Sequence, residues 1–277
     1  MSALLALLIL AACGEQSAPE PVSAEPESAA GRLVVYTSRQ PHLVESLFQQ
    51  FEVDTGIAIE YISDDAGALI ERLAAEAERS PADVLITVDA GNLWQAAERG
   101  LLQPLESTIL DQRIPAALRD PDGFWYGLSI RARTLVYPPD RVDPEELSTY
   151  AALAESKWKG RLCLRTSRKV YNQSLVAVMI ERFGEARTEQ IVRGWVENLA
   201  TGPFSSDTRL IEAMAAGQCD VGIVNTYYLG RLQQDNPAYP VRLFWADQAA
   251  GGVHVNISGA GITTHASNIA GARTLIE

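Results

Sequence analysis

The sequence predicts an α/β protein built on a largely parallel sheet. Short β-type apolar runs alternate with segments whose apolar residues recur at helical spacing, as expected when helices cover both faces of a sheet. This scheme occurs twice, on either side of a long β-like stretch at 124–138 that we interpret as a crossing between two lobes. The length of 277 residues suffices for one large domain or for two of ordinary size.

The first half consists of three strand–helix units. The run at 31–38 is β-type, and the helix predicted at 41–56 has Pro41 in its first turn and Gly56 at its end. The pattern predicts further strands at 57–62 and 82–88 and further helices at 67–80 and 90–102.

The second half repeats the scheme. Asp207 is predicted to cap the helix that it begins. Strands are predicted at 159–167 and 219–225, and helices at 172–184, 188–200, 207–218 and from Tyr227, followed by the segments 241–247 and 261–277. The last segment stops within a helical pattern with no cap, so we expect that C-terminal helices are missing from this chain.

The N-terminus has the pattern of an export signal. The run Leu4–Ala12 is apolar but too short to span a bilayer as a helix. It leads into Cys13 in a pattern that resembles a bacterial lipobox, so residues 1–13 are predicted to direct lipidation of Cys13 and anchoring to a bacterial membrane on its periplasmic or cell-surface side. A plain signal peptide with an incidental cysteine is the alternative. Residues 14–31 are rich in Pro, Ala, Ser and Glu and are predicted to form a disordered tether.

The charge and the motifs exclude several functions. The formal net charge is −12, and residues 32–277 carry 31 acidic against 23 basic side chains, so we expect no nucleic-acid partner. P-loop, dinucleotide-binding, CxxC and HExxH motifs are absent. Asp64, Asp65 and Asp89 have the chemistry of catalytic carboxylates, but helix capping or a loop role is the simpler interpretation. We expect no enzymatic activity, and a secreted enzyme is the alternative from another functional class.

Three tyrosines follow strands of the second half. Tyr227 and Tyr228 come directly after the strand at 219–225, and Tyr171 follows the strand at 159–167. Ligands of open α/β sheets bind beyond the carboxyl ends of the strands, where helix N-termini point. We therefore expect the three phenols to face one cleft.

Such phenols suit a hard trivalent metal. A free phenol has a pKa of about 10, but a bound cation favours the deprotonated form, and phenolate is a hard oxygen donor of the kind that ferric ion prefers. Three phenolates would neutralise the charge of one ferric ion. The spacing alone leaves open an aromatic cluster around an organic ligand, or plain packing.

With these tyrosines in place, the sequence resembles the periplasmic ferric-ion-binding proteins, the iron receptors of ATP-driven importers. The resemblance extends over residues 32–277. The segments that carry it are SPADVLITVDAGNLWQAAERGLLQPL (80–105), SIRARTLVYP (129–138), LSTYAALAESKWKGRLCLR (147–165), YNQSLVA (171–177) and VNTYYLGRL (224–232). Tyr171, Tyr227 and Tyr228 match the family's ligands, and Arg231 also matches.

The resemblance implies a type II periplasmic-binding-protein fold. Two lobes, each a mixed, mostly parallel sheet flanked by helices, would be joined by crossing strands, with ferric iron in the cleft and an ABC-importer permease as partner. We assign residues 32–128 and 241–277 to the first lobe and residues 129–240 to the second, and expect a monomer. A receptor of the same fold for an organic or oxyanion solute is the alternative within this class.

The first lobe departs from the family pattern. Many members carry His or His-Tyr just after the first strand, where this chain has Gln40 and Pro41. His42 lies on the helix pattern and is expected at the surface. The coordination left open would suit an anion such as carbonate, as the family often uses, held by Arg39 and Arg131 with bidentate hydrogen bonds.

Arg231 completes this anion-binding set. A surface ion pair is the alternative for Arg39 and for Arg131.

Two cysteines remain in the folded part. Cys163 and Cys219 lie on predicted strands that both end at the proposed site, so these strands are expected to be neighbours. An exported chain meets an oxidising compartment, and we predict a Cys163–Cys219 disulfide. Two buried free thiols are the alternative.

Overall fold

A computed structural model describes residues 31–277. The predicted signal peptide, Cys13 and the tether up to residue 30 lie outside the described residues. The strands are β1 (Arg32–Thr37), β2 (Ala58–Ser63), β3 (Val84–Val88), β4 (Leu102–Gln103), β5 (Tyr126–Tyr137), β6 (Leu162–Cys163), β7 (Val221–Asn225), β8 (Arg242–Phe244) and β9 (His254–Thr263). The α-helices are α1 (Glu45–Thr55), α2 (Ala66–Glu76), α3 (Ala90–Glu98), α4 (Thr108–Arg113), α5 (Val170–Phe183), α6 (Glu185–Glu197), α7 (Asp207–Ala215), α8 (Thr226–Asp235) and α9 (Ile269–Ile276).

The strands form one mixed sheet in the order β2-β1-β3-β9-β5-β7-β6, with β4 paired to β9 and β8 paired to β5. Parallel pairing joins β1 to β2 and β3, and β6 to β7. The antiparallel pairs of the sheet all involve β5 or β9. These two strands also pair with each other, and their register extends from Tyr126 opposite Ala260 to Arg133 opposite His254. These two long strands therefore connect the two halves of the sheet, so the predicted crossing is present and has a second strand, β9.

Each half of the sheet is covered by apolar side chains on both faces. On β1, Leu33 and Val35 belong to one buried cluster, and Val34 and Tyr36 belong to the cluster on the opposite face. This alternation follows from the two-residue period of a strand. Two further clusters flank β5 and β7 in the second half, and the segment 241–253 contributes to both of them.

Helix ends follow local chemistry, with one correction. Gly56 ends α1 at φ 72°, a left-handed conformation that glycine adopts without strain. Asp65 caps α2 by accepting a hydrogen bond from the Gly67 N–H. The prediction that Asp207 caps α7 is wrong: Ser206 is the capping residue, while Asp207 is fully buried and binds Arg133. A charged partner elsewhere in the chain thus outweighed the local capping preference of aspartate.

Candidate functional site

The three tyrosines occupy the first turns of two helices. Tyr227 and Tyr228 follow Asn225, the residue that ends β7 and precedes α8, and Tyr171 is the second residue of α5. In a first helical turn neighbouring side chains are about 100° apart rather than on opposite faces. The rings of Tyr227 and Tyr228 accordingly lie side by side, with centroids 4.3 Å apart and planes tilted by 32°.

All three phenols line one cleft of about 620 Å³. The opposite wall comes from the first half of the chain and includes Arg39, Gln40 and Asp65. His42 is exposed and does not line this cleft. The structure therefore brings together the tyrosines that the sequence placed at strand ends.

The cleft is strongly cationic although the protein is acidic. Among the described residues that line it, Asp65 is the one acidic side chain. The basic side chains in the lining are Arg39, Arg131, Arg165, Arg168, Lys169 and Arg231. Such a concentration of positive charge in a concave site favours ligands that carry negative charge.

Each phenol has a guanidinium group close to its ring. The Arg131 guanidinium carbon lies 4.9 Å from the centroid of the Tyr171 ring, and that of Arg231 lies 5.4 Å from the Tyr227 ring. Arg165 lies between two phenols, 5.4 Å from the Tyr171 ring and 6.0 Å from the Tyr228 ring. All of these separations are within the range of cation–π attraction.

Arg165 is a site residue that the sequence reasoning missed. It is 8% exposed, and its Nη1 lies 3.5 Å from the Tyr228 hydroxyl and 3.6 Å from the Asp207 carboxylate. Burial lowers the pKa of this guanidinium, but Tyr228 and Asp207 outweigh that effect and raise it. Arg165 therefore stays charged beside the phenols. Its position in the same strand–helix junction as Tyr171 was the available signal.

Arg133 holds the two tyrosine-bearing helices together from beneath. It is 1% exposed and donates to Asp207 at 3.0 Å, to the Asn225 side chain at 3.2 Å and to the Asn172 side chain at 2.7 Å. Asn172 follows Tyr171, and Asn225 precedes α8. One buried guanidinium group thus fixes the starts of α5 and α8 relative to each other.

The surroundings of Tyr227 favour its neutral phenol. Burial, followed by the neighbouring phenols of Tyr171 and Tyr228, raises the pKa of the Tyr227 hydroxyl. Near neutral pH a proton must therefore be displaced before this oxygen can act as a phenolate. A cation of high charge density supplies the driving force for that displacement.

On the opposite wall, Arg39 donates from Nη1 to the Ser258 hydroxyl at 3.0 Å. Among residues 31–277, no helix is long and apolar enough to cross a membrane.

Residues 31–277 contain no cluster of three or more His, Cys, Asp or Glu side chains suited to a metal ion. Among the described residues that line the cleft, Asp65 and the tyrosines are the side chains whose oxygens can carry a negative charge.

The predicted disulfide is present. Cys163 and Cys219 are bonded, with Cα atoms 5.9 Å apart. The bond connects β6 to the residues that lead into β7, and these strands are parallel neighbours as expected, with Cys163 opposite Gly222. It therefore ties together the two strands that precede the tyrosine-bearing helices.

Two lobes joined by crossing strands, with a cleft between them, define a solute receptor with the type II periplasmic-binding-protein fold. A family model described as bacterial extracellular solute-binding protein matches residues 79–276. Iron uptake protein A1 of Synechocystis sp. is 42% identical over 275 residues, which cover 97% of this chain and 76% of the relative. The chain therefore belongs to the family of bacterial extracellular solute-binding proteins.

Solved structures show the same fold. A Trichodesmium protein named IdiA (FutA), in complex with iron and citrate ligands, is 42% identical and superposes with a TM-score of 0.83, covering 89% of this chain and 81% of that chain. The ferric binding protein of Campylobacter jejuni is 33% identical and gives a TM-score of 0.83, with coverage of 88% and 79%.

Proposed function

We propose that this protein is an extracytoplasmic receptor that captures ferric iron and delivers it to the permease of an ABC importer. The observation that carries the proposal is the convergence of Tyr171, Tyr227 and Tyr228 on one cleft, with a guanidinium group against each ring. The names of the relatives, which include iron uptake and ferric binding proteins, support the same cargo.

The tyrosines are the metal ligands in this proposal. Each gives up its proton on binding, and three phenolates offset the three charges of ferric ion. The result is a neutral cluster, which is less costly to hold in a half-buried cleft than a bare ion. Softer divalent metals prefer imidazole or thiolate ligands, which this cleft does not offer among its described residues.

An anion completes the site. Arg39, Arg131 and Arg231 supply planar donor groups that match carbonate or a carboxylate. The cationic lining supports this assignment, and so does the Trichodesmium structure, whose description includes citrate together with iron. Gln40 and the other first-lobe side chains around it are neutral or cationic except Asp65, so the negative charge on that side comes mainly from the anion.

The chain organisation fits a tethered receptor. Residues 1–13 act as the signal with Cys13 as the lipid-bearing residue, and residues 14–31 act as the tether. The sequence predicts residues 32–128 and 241–277 for the first lobe and 129–240 for the second. The packing of 241–253 against the second pair of clusters supports placing that segment in the second lobe instead. The receptor works as a monomer without catalytic activity and closes around its cargo.

Metal analysis together with a visible spectrum tests the function. Protein loaded with ferric citrate and then dialysed should hold one iron per chain and be coloured, because electron transfer from phenolate to ferric ion absorbs visible light. A protein that retains no iron and stays colourless contradicts the proposal. The cationic cleft then favours the second candidate, a receptor of the same fold for an organic or oxyanion solute, which calorimetry with carboxylates and phosphate would detect.

A further inference from the structure

Asp89 lies between the two lobes, behind the tyrosine cluster. It follows β3 and is 1% exposed. Its side chain caps α3 by accepting from the Gly91 N–H at 3.1 Å, which accounts for only one of its hydrogen bonds. The capping role alone therefore does not explain its surroundings.

Each of the two carboxylate oxygens of Asp89 accepts two hydrogen bonds. Oδ1 accepts from Gly91 and, at 2.7 Å, from the hydroxyl of Ser174 on α5. Oδ2 accepts from Arg131 on β5 at 2.8 Å and from Asn256 on β9 at 2.9 Å. One buried carboxylate thus contacts a first-lobe helix, both crossing strands and a second-lobe helix.

The backbone of Asp89 is held in an uncommon conformation. Its φ of 83° lies in the left-handed region, which costs a non-glycine residue on the order of 1–3 kcal/mol and persists where surrounding contacts enforce it. The Asp89 N–H donates to the Ile257 carbonyl at 2.8 Å, and the Asn256 side chain accepts from the Ala90 N–H at 2.9 Å. These contacts aim the carboxylate at Arg131 and Ser174.

Two of these partners are next to the proposed iron ligand Tyr171. Arg131, whose side chain is 8% exposed, lies over the Tyr171 ring, and Ser174 is on the same helix as Tyr171, three residues further on. Residues three apart on a helix share a face. Asp89 therefore contacts both the cation above this ring and the helix that carries it.

The Ser174–Asp89 bond also joins the lobes. Among residues 31–277, it is the one side-chain hydrogen bond that connects 31–125 to 138–253. Rotation of one lobe about β5 and β9 would separate the two side chains, because a hydrogen bond of 2.7 Å tolerates little displacement. The bond therefore requires that the lobes keep the separation at which it forms.

We propose that Asp89 is a positioning residue that holds Arg131 over Tyr171 and, through Ser174, couples Tyr171 to closure of the lobes. This inference rests on the proposed function, because Tyr171 is taken as an iron ligand. In the closed receptor Asp89 has all four of its hydrogen bonds. Opening breaks the bond to Ser174, so the bond stabilises the closed form that retains the cargo.

Ser174→Ala tests the coupling to closure. The substitution removes one hydrogen bond to a buried charge, so ferric ion supplied as its citrate chelate should bind about tenfold more weakly. The iron-free variant should have a larger radius of gyration than the iron-free wild type in small-angle scattering. Ser174→Thr keeps a hydroxyl and should restore both values. Ser156→Ala removes an exposed hydroxyl that makes no hydrogen bond in the described residues, and it should match the wild type.

Asp89→Asn tests the positioning of Arg131. Asparagine tolerates a positive φ, so the backbone is preserved while the charge that holds the guanidinium is lost. The charge-transfer band of the iron-loaded variant should shift in wavelength, because Arg131 keeps its bond to the Ile257 carbonyl but loses the carboxylate that fixes it over the Tyr171 ring. A purely structural role would change stability and leave the band unmoved.

The outcomes separate this inference from the proposed function. If the wild type binds iron while Ser174→Ala keeps wild-type affinity and Asp89→Asn keeps the wild-type band, the inference is wrong and the iron function stands. If the wild type takes up no iron, the proposed function is wrong. Small-angle scattering of the iron-free proteins then tests whether the Ser174–Asp89 bond holds the lobes together. A larger radius for Ser174→Ala then supports the interlobe role of the bond, and equal radii overturn it. Should Asp89→Asn fail to fold, Ser174→Ala and its threonine rescue decide between these outcomes.

Discussion

The buried His254 should make the iron-free protein sensitive to mild acid. His254 begins β9 and is 7% exposed, with Asp89, Arg131, Arg133 and Arg182 as its charged neighbours. Burial lowers the pKa of its imidazole to about 4, and the three arginines add to this effect while Asp89 opposes it. The folded protein therefore keeps His254 neutral at a pH where the unfolded chain binds a proton.

The size of the effect follows from linkage between proton binding and folding. The imidazole of an unfolded chain has a pKa of about 6.5, so stability is unaffected well above that pH, falls as the pH drops below it and levels off below the folded pKa of about 4. At pH 5 the shift costs about 2 kcal/mol, and the full loss at lower pH approaches about 3 kcal/mol. Either value is a large share of the stability of an ordinary domain.

Urea unfolding of the wild type and of His254→Gln at pH 7 and pH 5 measures this cost. Glutamine cannot be protonated, so the variant should lose about 2 kcal/mol less than the wild type between the two pH values. The comparison uses the change in unfolding free energy between pH 7 and pH 5 within each protein. Any pH-independent packing defect of the variant and the contribution of the carboxylates, which both proteins share, therefore cancel. His42→Gln, at an exposed position, should keep the wild-type pH dependence. Equal losses in the wild type and in His254→Gln would refute the reasoning.

Three further predictions concern the site and its support. Replacing a phenol of the cluster by Phe removes one ligand oxygen and keeps the ring, so iron affinity should fall by more than about a hundredfold, beyond the loss typical of second-sphere partners, while thermal unfolding is nearly unchanged. The three cluster substitutions are Tyr171→Phe, Tyr227→Phe and Tyr228→Phe, and the controls outside the cleft are Tyr126→Phe, Tyr137→Phe and Tyr239→Phe. Variants of the cluster that stay as coloured and as iron-loaded as the wild type would exclude these ligands. The Cys163–Cys219 bond closes a loop with a sequence separation of 56, so replacing both cysteines by Ser should lower the unfolding free energy by about 2–4 kcal/mol. Two free thiols found by mass spectrometry of the exported protein would contradict the bond itself. Scattering of the iron-free and iron-loaded wild type should show a smaller radius of gyration on loading, and identical profiles would argue against closure driven by the cargo.

Most of the strand–helix order of this fold could be read from local patterns. The units from β1 to α3 have apolar spacings that are visible within one segment, and the first turn of α8 falls where the strand pattern ends. The exceptions depend on distant partners. The strand predicted at 159–167 is reduced to Leu162–Cys163, because the following residues make only isolated contacts with the chain around Phe204.

The strand β9 was missed for a physical reason. Its sequence includes Gly259 and Gly261, and glycine weakens the signal of a strand. The structure needs glycine there, because a Cβ atom at either position would collide with the backbone at Tyr126 or Phe124. The close approach that joins the two crossing strands is thus the feature that concealed one of them.

The sequence predicts the tyrosines of the site but not the arginines that support them. Tyr171, Tyr227 and Tyr228 stand at strand ends, and a rule about parallel sheets brings them together. Arg165 reaches Tyr228 across 63 residues of sequence, and Arg133 reaches Asn225 across 92. No local pattern marks such pairs, because they depend on how the sheet brings distant strands side by side.

The supporting charges also explain why the first lobe can depart from the family pattern. All three proposed ligands belong to the second lobe, where Arg133 fixes the starts of α5 and α8 and the Cys163–Cys219 bond joins the strands before them. On this proposal the ligand set is assembled within the second lobe, so Gln40 and Pro41 need not supply a donor in place of the usual His or Tyr. What the first lobe contributes is Arg39, the Asp89 carboxylate and the opposite wall of the cleft. In this proposal closure changes the anion contacts, the Ser174–Asp89 bond on the helix of Tyr171 and the escape of iron from the cleft, while Tyr227 and Tyr228 stay where the second lobe holds them.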